Sequence, residues 1–274
     1  MMAPVNDGWI TSRIDECKSR VLTLGYDGCA LDVLGLAPMS AGFVTALSIN
    51  PRTHMTWTKV DWITATAGLA ARVTAATHAM GKVTIGNGLS TGAYYFDRAN
   101  PTWRLLSAMD GGIAESWLRG AHVGVNTYRT ESAWKNDVDM LVDAEANGKP
   151  ILALTKMWAP ATQAQKDTWR RYSLASFLLG TGGRSYFYFS DAFNASRTAG
   201  HPWYSTDMGS PVGPYAKIDN VYQRSFNKGR VLVNPSSNTF TVPLGIGTYH
   251  TIDGQTASGS VVLAANGAQI LVEN

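Results

Sequence analysis

Apolar residues recur at helical spacing in four stretches of this chain. Each stretch ends near a glycine and leads into a short β-rich run. Ile14, Cys17, Val21 and Leu24 share a face after Ser12-x-x-Asp15, a candidate capping box, and Gly25 suits a left-handed helix stop. Residues 60–80, 132–147 and 162–179 repeat the pattern. The runs at 28–33, 82–86, 111–115, 150–156 and 184–189 read as strands. Strands alternating with helices predict an α/β fold with a parallel sheet, either doubly wound or a barrel of β/α units.

The pattern changes near residue 228. Short runs at 230–234, 239–243, 248–252, 260–263 and 269–273 follow one another, separated by turn residues such as Asn234-Pro235-Ser236-Ser237-Asn238 and Asp253-Gly254. They predict two domains: a β/α domain with its connector over 1–227, and a small antiparallel all-β domain over 228–274. Residues 190–227, rich in Gly, Pro and Tyr, read as a long loop and connector.

Composition narrows the function. The chain has 274 residues, 45% hydrophobic and 16% charged, with a net charge of +3. The charges are interspersed, so no nucleic-acid groove is indicated. No apolar run reaches the ~18 residues that a membrane span needs. The N-terminus lacks a signal peptide's basic-then-apolar run, which leaves the compartment open. Cys17 and Cys29 read as two buried thiols. The five histidines show no metal-ligand spacing, and no cofactor is expected. Gly180-Thr181-Gly182-Gly183 precedes a strand and lacks Lys-Ser/Thr, so it is not read as a phosphate loop. The sequon Asn194–Ser196 carries little weight.

Reactive groups in parallel β/α folds sit at the carboxyl ends of strands. Those ends carry Asp32, Asn87, Glu115, Lys156 and Ser190-Asp191. A pair of carboxylates is what glycosidic bond cleavage requires: one stabilises or attacks the anomeric carbon, and the other protonates the departing oxygen. Trp117, Trp158 and Trp203 offer flat faces for a sugar ring, Asn87 could hydrogen-bond a ring hydroxyl, and Lys156 could line the site. Each has a plain structural alternative. A strand-end Asp can be a cap, Asn87 between two glycines can be a turn, Lys156 can be an ion-pair partner, and each Trp can be core.

Gly25-Tyr26-Asp27-Gly28-Cys29-Ala30-Leu31-Asp32 resembles the fourth-strand motif of (β/α)8 glycoside hydrolases. Ile85-Gly86-Asn87-Gly88 resembles the fifth-strand segment, and Asp110-Gly111-Gly112-Ile113-Ala114-Glu115 the sixth. The run 221–235 resembles the entry to a C-terminal β domain. In this order the motifs resemble the hypothetical glycosyl hydrolase family 15 group over most of residues 11–274. The resemblance implies a TIM-type barrel, incomplete at its N-terminus, followed by the β domain. It implies an oligo- or polysaccharide substrate, Asp32 as nucleophile, Glu115 as acid/base and a retaining mechanism. If Asp32 closes a fourth strand, three strands are missing. The chain is then a fragment, or a partner chain or second copy covers the open edge, or the sheet is open and inactive. The rival expectation is a non-catalytic carbohydrate-binding or structural module.

Overall fold

In the computed structural model the described residues are 4–36, 49–99, 101–193 and 200–273, which leaves the sequon at 194–196 outside them. The first helix, α1 (Asp7–Leu24), starts earlier than the Ser12 capping pattern predicts, because the Asn6 side chain accepts the Trp9 N–H at 2.9 Å and caps it. Gly25 closes it in the left-handed conformation, as its sequence position predicts. Then come β1 (Gly28–Leu31), α2 (Lys59–His78), β2 (Val83–Asn87), the short α3 (Gly92–Tyr95) and α4 (Trp103–Ser107), and β3 (Gly111–Ala114).

The chain divides into two units, residues 1–115 with 146–152 and residues 116–145 with 153–274. This division differs from the one drawn at residue 228. In the first unit β1 pairs in parallel with β2, and β2 with β3. The Gly112 N–H donates to the Pro150 carbonyl beyond β3 at 3.0 Å. Gly28 is required by this pairing, since a Cβ there would lie 2.1 Å from the Val83 carbonyl oxygen. The unit's core gathers Ile10, Val21, Leu34, Trp62, Ile63, Leu69, Val73 and Met109. Strand β1 is not the buried strand its apolar sequence suggests. Among the described residues its strand neighbour is β2 alone, and Ala30 is exposed. Cys17 and Cys29 are not free thiols but a disulfide between α1 and β1, with Cα atoms 6.0 Å apart. Two cysteines twelve residues apart give no signal of pairing until the chain doubles back at Gly25.

The second unit contains α5 (Glu131–Ala146), β4 (Ile151–Lys156), α6 (Gln163–Gly180) and β5 (Tyr186–Ser190). The last residue of α5 and the first two of β4 count with the first unit. The Met157 N–H after β4 donates to the Ser190 carbonyl at 2.7 Å. The six remaining strands, β6 (Ala216–Ile218), β7 (Val221–Phe226), β8 (Gly229–Asn234), β9 (Phe240–Thr251), β10 (Thr256–Leu263) and β11 (Gly267–Glu273), form one sheet in the order β10-β9-β11-β8-β7-β6. Its strands pair antiparallel along β10–β9, β9–β11, β11–β8, β8–β7 and β7–β6. The protein is thus α/β with a separate antiparallel sheet. That sheet begins at Ala216, ahead of residue 228, because β6 pairs with β7 and β7 pairs along β8. The runs expected at 239–243 and 248–252 are one strand, β9, carried past Gly245 by register shifts in its pairing with β10. Among the described residues no helix is long and apolar enough to cross a membrane.

The Gly180–Gly183 segment shows how a glycine-rich turn is used here. Its donors face a carboxylate of the chain itself. Glu145 accepts from the Thr181 hydroxyl (2.7 Å), the Gly182 N–H (2.7 Å) and the Ser185 N–H (2.9 Å). Burial alone would raise the Glu145 pKa, but the hydrogen bonds from Ser185, Thr181 and Gly182 outweigh it and hold the carboxyl below its ordinary value. A lowered folded-state pKa gives stability that is complete above the unfolded value, ~4.3, and is lost as pH falls through the folded value. Glu145→Gln is therefore expected to lower stability at pH 7 by about 1–2 kcal/mol, consistent with the loss of charge-assisted bonds. Urea unfolding across pH 3–7 should show the difference between variant and wild type shrinking toward the acid end. A difference that grows on acidification would contradict it.

Candidate active site

The ends of β1, β2 and β3 converge in the first unit. Leu31 lies opposite Gly86, and Asn87 opposite Ile113. Side chains in register on parallel strands point to the same face, and so do residues two apart on one strand. Asp32, Asn87 and Glu115 are thereby brought to one face at the carboxyl end of the sheet.

Their contacts are direct. The Asn87 Nδ2 donates to Asp32 Oδ1 at 2.8 Å and to Glu115 Oε2 at 2.9 Å. The same Asp32 oxygen accepts the Val33 N–H at 2.8 Å. Asp32 Oδ2 carries no hydrogen bond among the described residues, and the side chain is exposed, whereas Asn87 and Glu115 are half-buried. Nearest oxygens of the two carboxylates are therefore no farther apart than the two bonds from Nδ2 laid end to end.

The backbone around these groups is tightly specified. The Leu34 N–H donates to the Asn87 carbonyl at 2.9 Å, and the Trp62 indole N–H holds the Gly35 carbonyl at 3.0 Å. Gly35 and Gly88 let the segments after β1 and β2 touch, since a Cβ on Gly35 would sit 2.5 Å from the Gly88 carbonyl oxygen. Val33, directly after Asp32, has φ 59°. A β-branched residue in that region is strained, by about 1–3 kcal/mol, and such strain clusters at functional sites.

The other sequence candidates belong to the second unit. Trp117 is a correction: it is fully buried, its N–H donates to the Asp137 carbonyl at 2.8 Å, and its ring meets Phe177 and Phe187 edge-on. An indole with no exposed face cannot stack on a sugar. Lys156 and Trp158 lie together, the ammonium 5.0 Å from the centroid of the half-buried indole, whose N–H donates to the Ser190 hydroxyl at 2.9 Å. Trp203 is half-buried with the Arg171 guanidinium 5.3 Å from its ring centroid. No cluster of three or more metal-ligating side chains occurs among the described residues. Sequence reasoning missed the Val33 and Leu34 backbone contacts, which follow from a turn that no residue pattern announces.

No curated protein matches the chain in sequence. Among solved structures, it is similar to a noncanonic maltogenic alpha-amylase from Thermotoga neapolitana, at 10% identity over 97% of this chain and 66% of that one, with a TM-score of 0.49. It is similar to a glycoside hydrolase family 30 subfamily 8 xylanase from Clostridium acetobutylicum, at 12% identity over 99% and 75% of the two chains, with a TM-score of 0.44. A beta-galactosidase from Bacillus circulans sp. alkalophilus matches at 25% identity over 22% of this chain and 10% of that one, with a TM-score of 0.18. The chain thus spans less than two thirds of the amylase and a tenth of the galactosidase. Residues 3–230, most of the chain, match one family description, and the protein belongs to hypothetical glycosyl hydrolase family 15.

Proposed function

We propose that this protein cleaves glycosidic bonds in an oligo- or polysaccharide by a two-carboxylate mechanism, with Asp32 as nucleophile and Glu115 as general acid/base. One observation carries the reading: carboxylates from two different strand ends are tied together by a single amide. Oxocarbenium chemistry needs two acids on either side of one carbon.

Each atom then has a task. Asp32 Oδ1 is held by two N–H groups, so Oδ2 attacks the anomeric carbon. Glu115, whose Oε2 accepts from Asn87, passes its proton to the departing oxygen. In the second half the Glu115 carboxylate takes a proton from water, which displaces Asp32 from the sugar. Retaining glycosidases hold their carboxyl groups ~5–5.5 Å apart and inverting ones ~6.5–9.5 Å. The shared amide favours the shorter class. Trp158 and Trp203 are proposed sugar contacts of the second unit. The Trp158 ring is held by the Lys156 ammonium and by edge contacts with His122 and Phe193.

The test is a panel of aryl glycosides followed by proton NMR of the first product formed from any substrate turned over. Net retention at the anomeric carbon supports the reading, and inversion removes Asp32 as nucleophile. The exposure of Asp32 at the outer strand favours a second reading, a carbohydrate-binding module. Saturable oligosaccharide binding with no turnover on the panel would select it.

A further inference from the structure

We infer that Asn87 is the positioning residue that sets the distance between the two carboxylates, and that it does not donate to the substrate. This rests on the roles proposed above for Asp32 and Glu115.

The identity of the bridging atom is fixed by chemistry. Asp32 as nucleophile is ionised and only accepts, so the amide atom 2.8 Å from it must be the NH2 group and not the oxygen, and the same atom lies 2.9 Å from Glu115 Oε2. That group has two hydrogens, and each bond uses one. A hydrogen bond from Asn87 to a sugar hydroxyl therefore cannot be one that Nδ2 donates, because both its hydrogens are already used. Its Oδ1 has no partner among the described residues, and an amide oxygen can receive only an O–H or N–H. Any direct contact with a sugar is limited to accepting such a bond.

A spacer works only if its own backbone is immobile. Asn87 ends β2 in register with Ile113 of β3, its carbonyl is bonded by the Leu34 N–H, and the Leu89 N–H two residues later donates to the Ile113 carbonyl at 3.3 Å. The Gly35–Gly88 approach locks the segments after β1 and β2 together. Asn87 thus reaches both acids from the middle strand of the three. Asp32 needs it most, since β1 is the outer strand and Asp32 is exposed. A misplacement of ~1 Å between reacting groups costs about 100-fold in rate.

The experiment has a spectroscopic arm and a kinetic arm on the full chain. In nitrogen-15 correlation spectra the Asn87 side chain gives two amide proton signals. Asp32→Asn should move one of them and Glu115→Gln the other. With any aryl glycoside that the wild type hydrolyses, Asn87→Ala should lower kcat by about 100-fold and leave KM nearly unchanged. Asn87→Asp, which replaces the donor by an acceptor of the same size, should do no better. The inference is overturned if the two amide signals do not respond separately. It is also overturned if Asn87→Ala keeps kcat within threefold, or if the loss falls on KM. A wild type without turnover on any substrate counts against the proposed function, while the amide signals still decide whether the bridge exists.

Discussion

Asp32→Asn and Glu115→Gln are each expected to abolish hydrolysis of unactivated glycosides while leaving the protein folded. The amide introduced by Asp32→Asn still offers a carbonyl oxygen to the Val33 and Asn87 N–H groups, so the local bonds survive. What is lost is the anionic oxygen proposed to form the bond to carbon, and the expected fall is at least ~1,000-fold. Glu115→Gln removes the proposed proton donor, and general acid–base groups contribute about 100- to 10,000-fold. The two variants are distinguishable by leaving group. An aryl glycoside whose phenolate departs unaided should react with Glu115→Gln in its first step, and added azide should speed the second step by replacing water. Asp32→Asn should gain from neither. Circular dichroism and thermal unfolding would verify that both variants fold. Near-normal turnover in either one removes the mechanism.

The residues of this site were legible in the sequence because one rule applies to them. Parallel strands present their carboxyl ends to one side, so an acid, an amide and an acid closing three successive apolar runs fall at one end of the sheet. Their mutual bonding was not legible. It depends on the register of β1 against β2 and of β2 against β3, and a one-residue slip would have turned Asn87 to the other face. Trp117 shows the opposite failure. Two residues after Glu115 it looked like a sugar platform, yet its carbonyl accepts from the Thr155 hydroxyl at 3.0 Å and its ring fills the second unit's core. Nothing in the local sequence distinguishes a buried indole from an exposed one. The period reveals the helices, but Ser12-x-x-Asp15 imitates a cap inside a helix that already begins at Asp7. The Cys17–Cys29 bond is not legible in the sequence because it depends on α1 and β1 lying side by side. The divided β9 reading failed because Gly245 and Gly247 look like breaks, while a strand with register shifts passes through them.

The largest effect on stability is expected from Asp137→Ala. Asp137 lies in α5 with no exposed surface. Its Oδ2 accepts the Leu118 N–H at 3.2 Å and stands 2.9 Å from the Arg129 Nε. The Nε contact is close enough for charge pairing but lies off hydrogen-bond geometry, and the nitrogen has no other partner. Arg129 spends its Nη2 on the Ser116 carbonyl at 2.6 Å. Removing the carboxylate therefore leaves a largely buried guanidinium without its counter-charge, and breaking one partner of such a pair costs about 3–5 kcal/mol. It also orphans the N–H of Leu118, a non-glycine residue held at φ 59°, where the chain has least reason to stay once the bond is gone. Arg129→Met in the same background should recover part of the loss, because it removes the uncompensated charge and keeps an apolar stem in place. Urea unfolding of the two single variants and the double variant would measure the coupling. If Asp137→Ala costs under ~1 kcal/mol, or if the second substitution adds its full cost to the first, the ion pair does not hold this part of the second unit together.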